Sequence, residues 1–242
     1  MAFKIDFNYS PNFNPIKRNL KQIKFLIFHY TGMRKESDAI KKLTKIQSEV
    51  SSHYFIKNNG DIVLLVPDLY VAWHAGKSSW KNYKSLNKYS IGIEISNSGH
   101  QFNYKKFSKK QISSILVLSK FLLKKYKINS KNILGHSDIA PNRKKDPGEK
   151  FPWKKMSKYK IAIGHSLNEI KLKKIRFIKV SQKDKQVFFG NLYKLGYRKI
   201  ISNKKNYKST ILVKAFQRRF RQILINGIID KECLIISKNL LK

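Results

Sequence analysis

The sequence predicts an α/β fold, a mixed central β-sheet flanked by helices, followed by a small domain of three helices. Three observations carry this reading. Short apolar runs rich in β-branched and aromatic residues, "IKFLIFHY", "SIGIEIS" and "NILGHS", have the length and composition of buried strands. They are interleaved with helical patterns, the order that builds sheets covered by helices. Beyond Trp153 the strand-like runs give way to three amphipathic segments.

Taken in order, residues 1–22 read as an irregular arm, and Ile23–Tyr30 is the first buried strand. "ESDAIKKLTKIQ" spaces Ile40, Leu43 and Ile46 by three, a helix with Ser37 or Asp38 as its N-cap. "HYFIKNNGDIVLLVP" reads as a hairpin turning at Asn58-Asn59-Gly60-Asp61. The segment from Ser108 puts Ile112, Ile115, Leu116, Leu118, Leu122 and Leu123 on one broad face, with Ser108 as N-cap. The α/β domain is placed at 1–165 and a Lys-rich linker, with room for a short helix, at 166–183. The helical domain follows at 184–242, with helices near Asp184–Leu195, Ser209–Gln222 and Asp230–Leu241.

Composition narrows the possibilities. Of 242 residues, 41% are hydrophobic and 12% aromatic, enough to bury a sizeable core and to exclude a largely disordered chain. No apolar run approaches the length of a membrane span. The N-terminus lacks an apolar leader, which favours a cytoplasmic location over a periplasmic or cell-wall one. The single cysteine, Cys233, excludes an intramolecular disulfide and a Cys-rich metal cluster, and reads as an ordinary helix residue. A net charge of +38 suggests a polyanionic partner. No nucleic-acid motif accompanies it, and lysines are spread throughout a chain crowded with Lys, Asn and Ile, so no specific nucleic acid is expected.

The chemistry gathers around "ILGHSDIAPNRKKDPGEKFPW", an irregular stretch punctuated by Pro141, Pro147 and Gly148. Of six histidines, His29 ends one buried strand and His136 another, and Asp146 follows on a loop long enough to fold back. Ends of neighbouring strands lie within reach of each other. Two imidazoles and one carboxylate leave a fourth tetrahedral position open, the pattern of a catalytic zinc site. Glu94 interrupts the apolar "IGIEIS". Either it alternates outward to solvent, or it is held inside as a candidate general base.

"FHYTG", "SSHYFI", "LVPDLYVAWHAGKSSW", "SIGIEISNSGH" and "GHSDIAPNRKKDPGEKFPW" occur in this order. Together they resemble the zinc-dependent N-acetylmuramoyl-L-alanine amidases of the type-2 amidase family, related to peptidoglycan-recognition proteins, over about residues 20–155. The resemblance implies one Zn²⁺ on His29, His136 and Asp146, Glu94 as catalytic base and Lys144 as catalytic cation. It implies hydrolysis of the amide between N-acetylmuramic acid, or its anhydro form, and L-alanine. Peptidoglycan or anhydro-muropeptides would be the partner, and the chain is expected to be a monomer. Trp73, His74 and Ala75 of "AWHAG" are expected to line the substrate groove. Asn97 is a further substrate-contact candidate, and Arg143 and Lys145 can meet stem-peptide carboxylates. His53 is expected to shape the site wall; His100 and His165 receive no role. The competing reading is a non-catalytic peptidoglycan-recognition protein, disfavoured by the intact metal set. The tail "VKAFQRRFRQILINGIIDKECLIISKNLL" resembles a peptidoglycan-binding three-helix module, with Phe216 and Phe220 in its core and Arg218, Arg219 and Arg221 on a solvated or polymer-facing edge.

Overall fold

The computed structural model describes the backbone of residues 4–199 and 205–242, with side chains from 209 onward in the second segment. Its first strands and helix are β1 (Ile5–Phe7), β2 (Phe13–Asn14), β3 (Phe25–Tyr30) and α1 (Glu36–Thr44). Next come β4 (Tyr54–Ile56), β5 (Ile62–Leu64), β6 (Val71–Ala72), β7 (Ser79–Trp80), β8 (Tyr83–Lys84), β9 (Ser90–Ile95) and α2 (Lys109–Tyr126). After β10 (Ile133–Gly135) and the short α3 (His136–Ile139), the chain is helical. It forms α4 (Trp153–Lys158), α5 (Glu169–Ile175), α6 (Gln182–Leu195), α7 (Lys205–Phe220) and α8 (Lys231–Asn239).

Six strands form one mixed sheet in the order β1-β5-β4-β9-β3-β10. The β4–β5 hairpin is antiparallel, while β4, β9, β3 and β10 run parallel. The parallel strands are short and almost wholly apolar because both faces of the sheet are covered. On one face Leu26, Phe28, Ile91, Ile93 and Ile133 meet Ile115, Leu118 and Leu122 of α2. On the other, Phe25, Ile27 and Leu134 share a core with Phe188 and Leu192 of α6, Val213 and Phe216 of α7, and Cys233 and Ile236 of α8. A third cluster seats Ala39 and Leu43 of α1 on Phe55 and Val63.

Several expectations hold. Helix α2 opens on the Ser108 capping box, which Gln111 completes. The hairpin turns through Gly60 at φ 91°, a conformation open to glycine. Others are corrected. The N-terminal arm is not irregular throughout: β1 pairs with β5 and β2 with β6, strands of three and two residues whose apolar pattern is too short to read. Helix α1 starts at Glu36, with Lys35 at the N-cap and no side-chain cap, so Ser37 and Asp38 lie inside the first turn, where Glu36 and Asp38 favour the helix dipole. Within 166–183, the short helix that the linker could hold is α5, and what the sequence did not show is that it buries Leu172 in the shared core.

The expected arginine edge is also corrected. Phe216 and Phe220 are core residues, but Arg218, Arg219 and Arg221 are buried as well. Arg221 pairs with Asp230 (2.6 Å) and Glu232 (3.4 Å). Arg219 crosses to the other part of the chain, donating to Asp138 Oδ2 (2.7 Å) and to the Ile133 carbonyl (2.7 Å), with its guanidinium over Trp153. Asp138 also accepts from Tyr197 (2.6 Å) and from the Gly135 N–H (2.8 Å). A buried charge left without its partner is costly, so Arg219→Ala is expected to destabilise the protein by about 3–5 kcal/mol in urea unfolding. A loss under 1 kcal/mol would show that Asp138 finds another donor.

Candidate active site

The parallel register places the key residues side by side. His29 on β3 pairs with Glu94 on β9, which in turn pairs with Phe55 on β4. Register partners on adjacent strands point to the same face. Glu94 therefore stands beside His29 and is not turned to solvent. His136 follows directly on β10, the other neighbour of β3. All three lie at the carboxyl ends of parallel strands, where sheets of this kind place their ligands. The loop after α3 returns Asp146 to the same spot.

Three atoms converge. His29 Nδ1 and His136 Nδ1 lie 2.8 Å apart, and each is 3.1 Å from Asp146 Oδ2. Protons can be placed around them from the outside in. Ser90 donates its hydroxyl proton to the Leu86 carbonyl (2.6 Å), so it accepts from His74 Nε2 (3.1 Å). His74 Nδ1 is then an acceptor and receives the His29 Nε2 proton (3.0 Å). His136 Nε2 donates to the Ala75 carbonyl (3.1 Å). Both Nδ1 atoms consequently turn lone pairs toward a carboxylate oxygen, with no proton left to share. Three converging acceptors of this chemistry fit a divalent cation, their outer nitrogens fixed as in ligated histidines. Among the described residues they form the group able to hold a metal.

Electrostatics agrees. Burial and the neighbouring His136 push His29 down to about 4, so it is neutral at physiological pH. Burial raises Asp146, and charge and hydrogen bonds from His136 and His29 outweigh it and hold the carboxylate well below its usual range; with both Nδ1 atoms bare, a bound cation would take over that part. Glu94 is pushed up to about 8 by burial, then by Asp146. Its Oε2 is sealed from solvent and has no hydrogen-bond partner among the described residues.

The cleft beside these groups encloses about 440 Å³ and is lined by His136, Asp146, Glu94, Lys144, Trp73 and Tyr30. The remaining sequence-predicted residues divide. Trp73 lines the cleft, its indole nitrogen donating to Asn14 (2.8 Å). His74 touches the cleft, but both ring nitrogens are committed to His29 and Ser90. Ala75 is fully buried and acts through its carbonyl, which accepts from His136 and Arg143. Arg143 is clamped onto the Ala75 and Lys77 carbonyls. Asn97 spends its amide on the Lys105 carbonyl (2.9 Å) and the Gly99 N–H (3.0 Å). His53 is a buried wall residue, accepting from the Gly92 N–H (3.0 Å). Tyr30, which follows His29 directly and was given no role, lines the cleft, as does His100, which the sequence also left without a role and which bonds Tyr30 (2.8 Å) and Glu149 (3.0 Å). Their signal was membership of the "FHYTG" and "SIGIEISNSGH" motifs.

Fold and site together define an amidase-like centre with a group able to hold a metal, and the chain belongs to the N-acetylmuramoyl-L-alanine amidase family, whose model matches residues 19–149. Among its relatives is the N-acetylmuramoyl-L-alanine amidase AmiD of Escherichia coli (strain K12), 32% identical over 91% of this chain and 83% of AmiD. The 1,6-anhydro-N-acetylmuramyl-L-alanine amidase AmpD of Haemophilus influenzae is 39% identical over 45% of this chain and 58% of its own length. The solved complex of E. coli AmiD with anhydro-N-acetylmuramic acid-L-Ala-D-γ-Glu-L-Lys superposes with a TM-score of 0.80 at 32% identity, covering 91% of this chain and 89% of that one. AMPDH3 of Pseudomonas aeruginosa gives 0.78 at 29% identity over 99% and 98%.

Two measurements probe the site. Gly92 has no side chain because His74 occupies the space: a Cβ there would sit 2.4 Å from the imidazole Cγ. Gly92→Ala should therefore displace His74, release His29, and weaken metal affinity about 10–100-fold in chelator competition. Unchanged affinity would mean that His74 does not orient His29. Glu94 supplies a pH test. Its folded-state pKa of about 8 exceeds the ordinary 4.5. Its contribution to stability is thus full below pH ~4.5 and is lost as pH rises through about 8. Stripped of metal, Glu94→Gln should melt at least ~2 °C above the parent at pH 9, with the gap closing at pH 5. A gap independent of pH would place the titration elsewhere.

Proposed function

We propose that this chain is a zinc amidase in which His29, His136 and Asp146 hold one Zn²⁺, Glu94 is the general base and acid, and Lys144 stabilises the oxyanion. The family's reaction is hydrolysis of the amide between N-acetylmuramic acid, or its anhydro form, and L-alanine. The observation that carries the assignment of roles is the convergence of three proton-free acceptors beside an unpartnered carboxylate, within one cleft. A zinc ion held there supplies Lewis acidity toward the scissile carbonyl and a lowered water pKa.

The protein's own groups do the rest. The Glu94 carboxyl group, which lines the cleft with one oxygen buried and unpaired, takes a proton from the attacking water. A cation on the ligand set offsets the Asp146 charge, one of the causes of Glu94's raised pKa, and so favours the carboxylate form that accepts the proton. The same group returns the proton to the departing alanine amine. Lys144 lines the cleft as a cation for the tetrahedral oxyanion. Tyr30 and Trp73 offer aromatic walls for the sugar and peptide. Solved relatives hold anhydromuramyl peptides, AmiD with a tripeptide stem and AMPDH3 with anhydromuramic pentapeptide, which supports a soluble anhydro-muropeptide as substrate for this chain. We also propose that α6–α8 assist polymer binding, a reading supported by their sequence resemblance to a wall-binding module.

Glu94→Ala is expected to retain zinc at one equivalent, measured by metal analysis, while turnover of an anhydro-muramyl tripeptide falls 10²–10⁴-fold. Asp146→Ala should lose both zinc and turnover. Near-parental turnover by the Glu94 variant, or zinc retained by the Asp146 variant, would sink the respective role.

A further inference from the structure

A second groove of about 440 Å³ adjoins the catalytic cleft, and the two share the wall formed by Arg143, Lys144 and Lys145. Its opposite wall is Lys214 and Arg218 of α7, a helix that contributes nothing to the ligand set. Arg218 is 8% exposed, yet it makes no hydrogen bond, ion pair or ring contact among the described residues. Its two neighbouring arginines on the helix, Arg219 and Arg221, are both paired with acids. One carboxylate, Glu149, lies on the groove, and it is already taken by His100 at 3.0 Å.

Most of the Arg218 side chain is buried, but its guanidinium nitrogens keep contact with solvent and so face the groove without a protein acceptor. A cation largely desolvated in this way gains when an anion enters the groove. Arginine's planar fork matches a carboxylate in two parallel hydrogen bonds, and lysines around it raise the local positive potential. Burial lowers Arg218's pKa, while Glu149, Tyr30, Asp138 and Asp146 act in the opposite direction.

We infer that this groove is a subsite for a free carboxylate of the peptide stem, built jointly by the loop that carries Asp146 and by α7. The inference rests on the amidase reading. It adds a recognition element: the peptide leaves the catalytic cleft past Lys144 and Lys145, and its carboxylate meets Arg218, with Lys214 beside it. A γ-linked glutamate and a C-terminal residue each present such a group.

The test uses the full-length, zinc-loaded protein and three synthetic anhydro-muramyl tripeptides. One carries both carboxylates free, one is amidated at the γ-linked glutamate, and one is amidated at the terminal residue. The parent is expected to lose about tenfold in kcat/KM for the peptide amidated at the bound position, the scale of one charge-assisted contact. Arg218→Met should shrink that penalty to about twofold or less, chiefly through KM, and Arg218→Lys should restore part of it. Lys214→Glu, on a half-buried helix position, should shrink the same penalty and keeps the test decisive if the Arg218 variant does not fold. Equal parental rates on all three peptides, or an undiminished penalty in the folded variants, would overturn the subsite. Failure of the parent to cleave even the unmodified peptide would overturn the amidase reading itself.

Discussion

Parallel pairing of β3 between β9 and β10 is the constraint on which the rest of the structure depends. It sets His29 opposite Glu94 and brings the end of β10, and so His136, alongside. A slip of one residue would turn His29 or Glu94 to the opposite face and dismantle the site. The register is held by apolar side chains on both faces, which a slip would also misplace. The catalytic geometry is thus a by-product of core packing, and the ligand set needs no dedicated scaffold beyond the loop that returns Asp146.

Outside the ligand atoms, a line of hydrogen bonds runs from the Leu86 carbonyl through Ser90 and His74 to His29. Each step fixes the direction of the next, so one carbonyl beneath the sheet determines which nitrogen of His29 is bare. His136 is fixed more directly, by the Ala75 carbonyl. Arg143 grips the same carbonyl. The loop bearing Asp146 and the "AWHAG" segment are therefore locked together beside the centre they serve.

The sequence exposed much of this and hid the rest for physical reasons. Strands buried on both faces show as continuous apolar runs, and α2 announces itself by periodicity and by its Ser108 cap. Strand-end placement of His29 and His136 was legible because strand ends adjoin one another. Glu94's facing was not, since alternation leaves both faces open until the neighbouring strand is known. The short strands of the N-terminal arm lack enough residues to show a period. Arg219 was misread as solvated because 52 basic residues leave no contrast between surface and core, and because its partner Asp138 stands 81 positions away. The internal hydrogen bonds of His74 and Asn97 were not legible, because a polar residue within a motif does not reveal which backbone or ring atoms will satisfy it.

The face of the sheet formed by Phe25, Ile27 and Leu134 is closed by helices that end at Asn239. Synthesis from the N-terminus therefore leaves that face open until α8 has been made. Arg219, which ties down Asp138 two positions from His136, likewise arrives long after the strands it braces. Maturation of the centre therefore waits on α8: a nascent chain that already contains His29, His136 and Asp146 still lacks the half of its core that holds them in place.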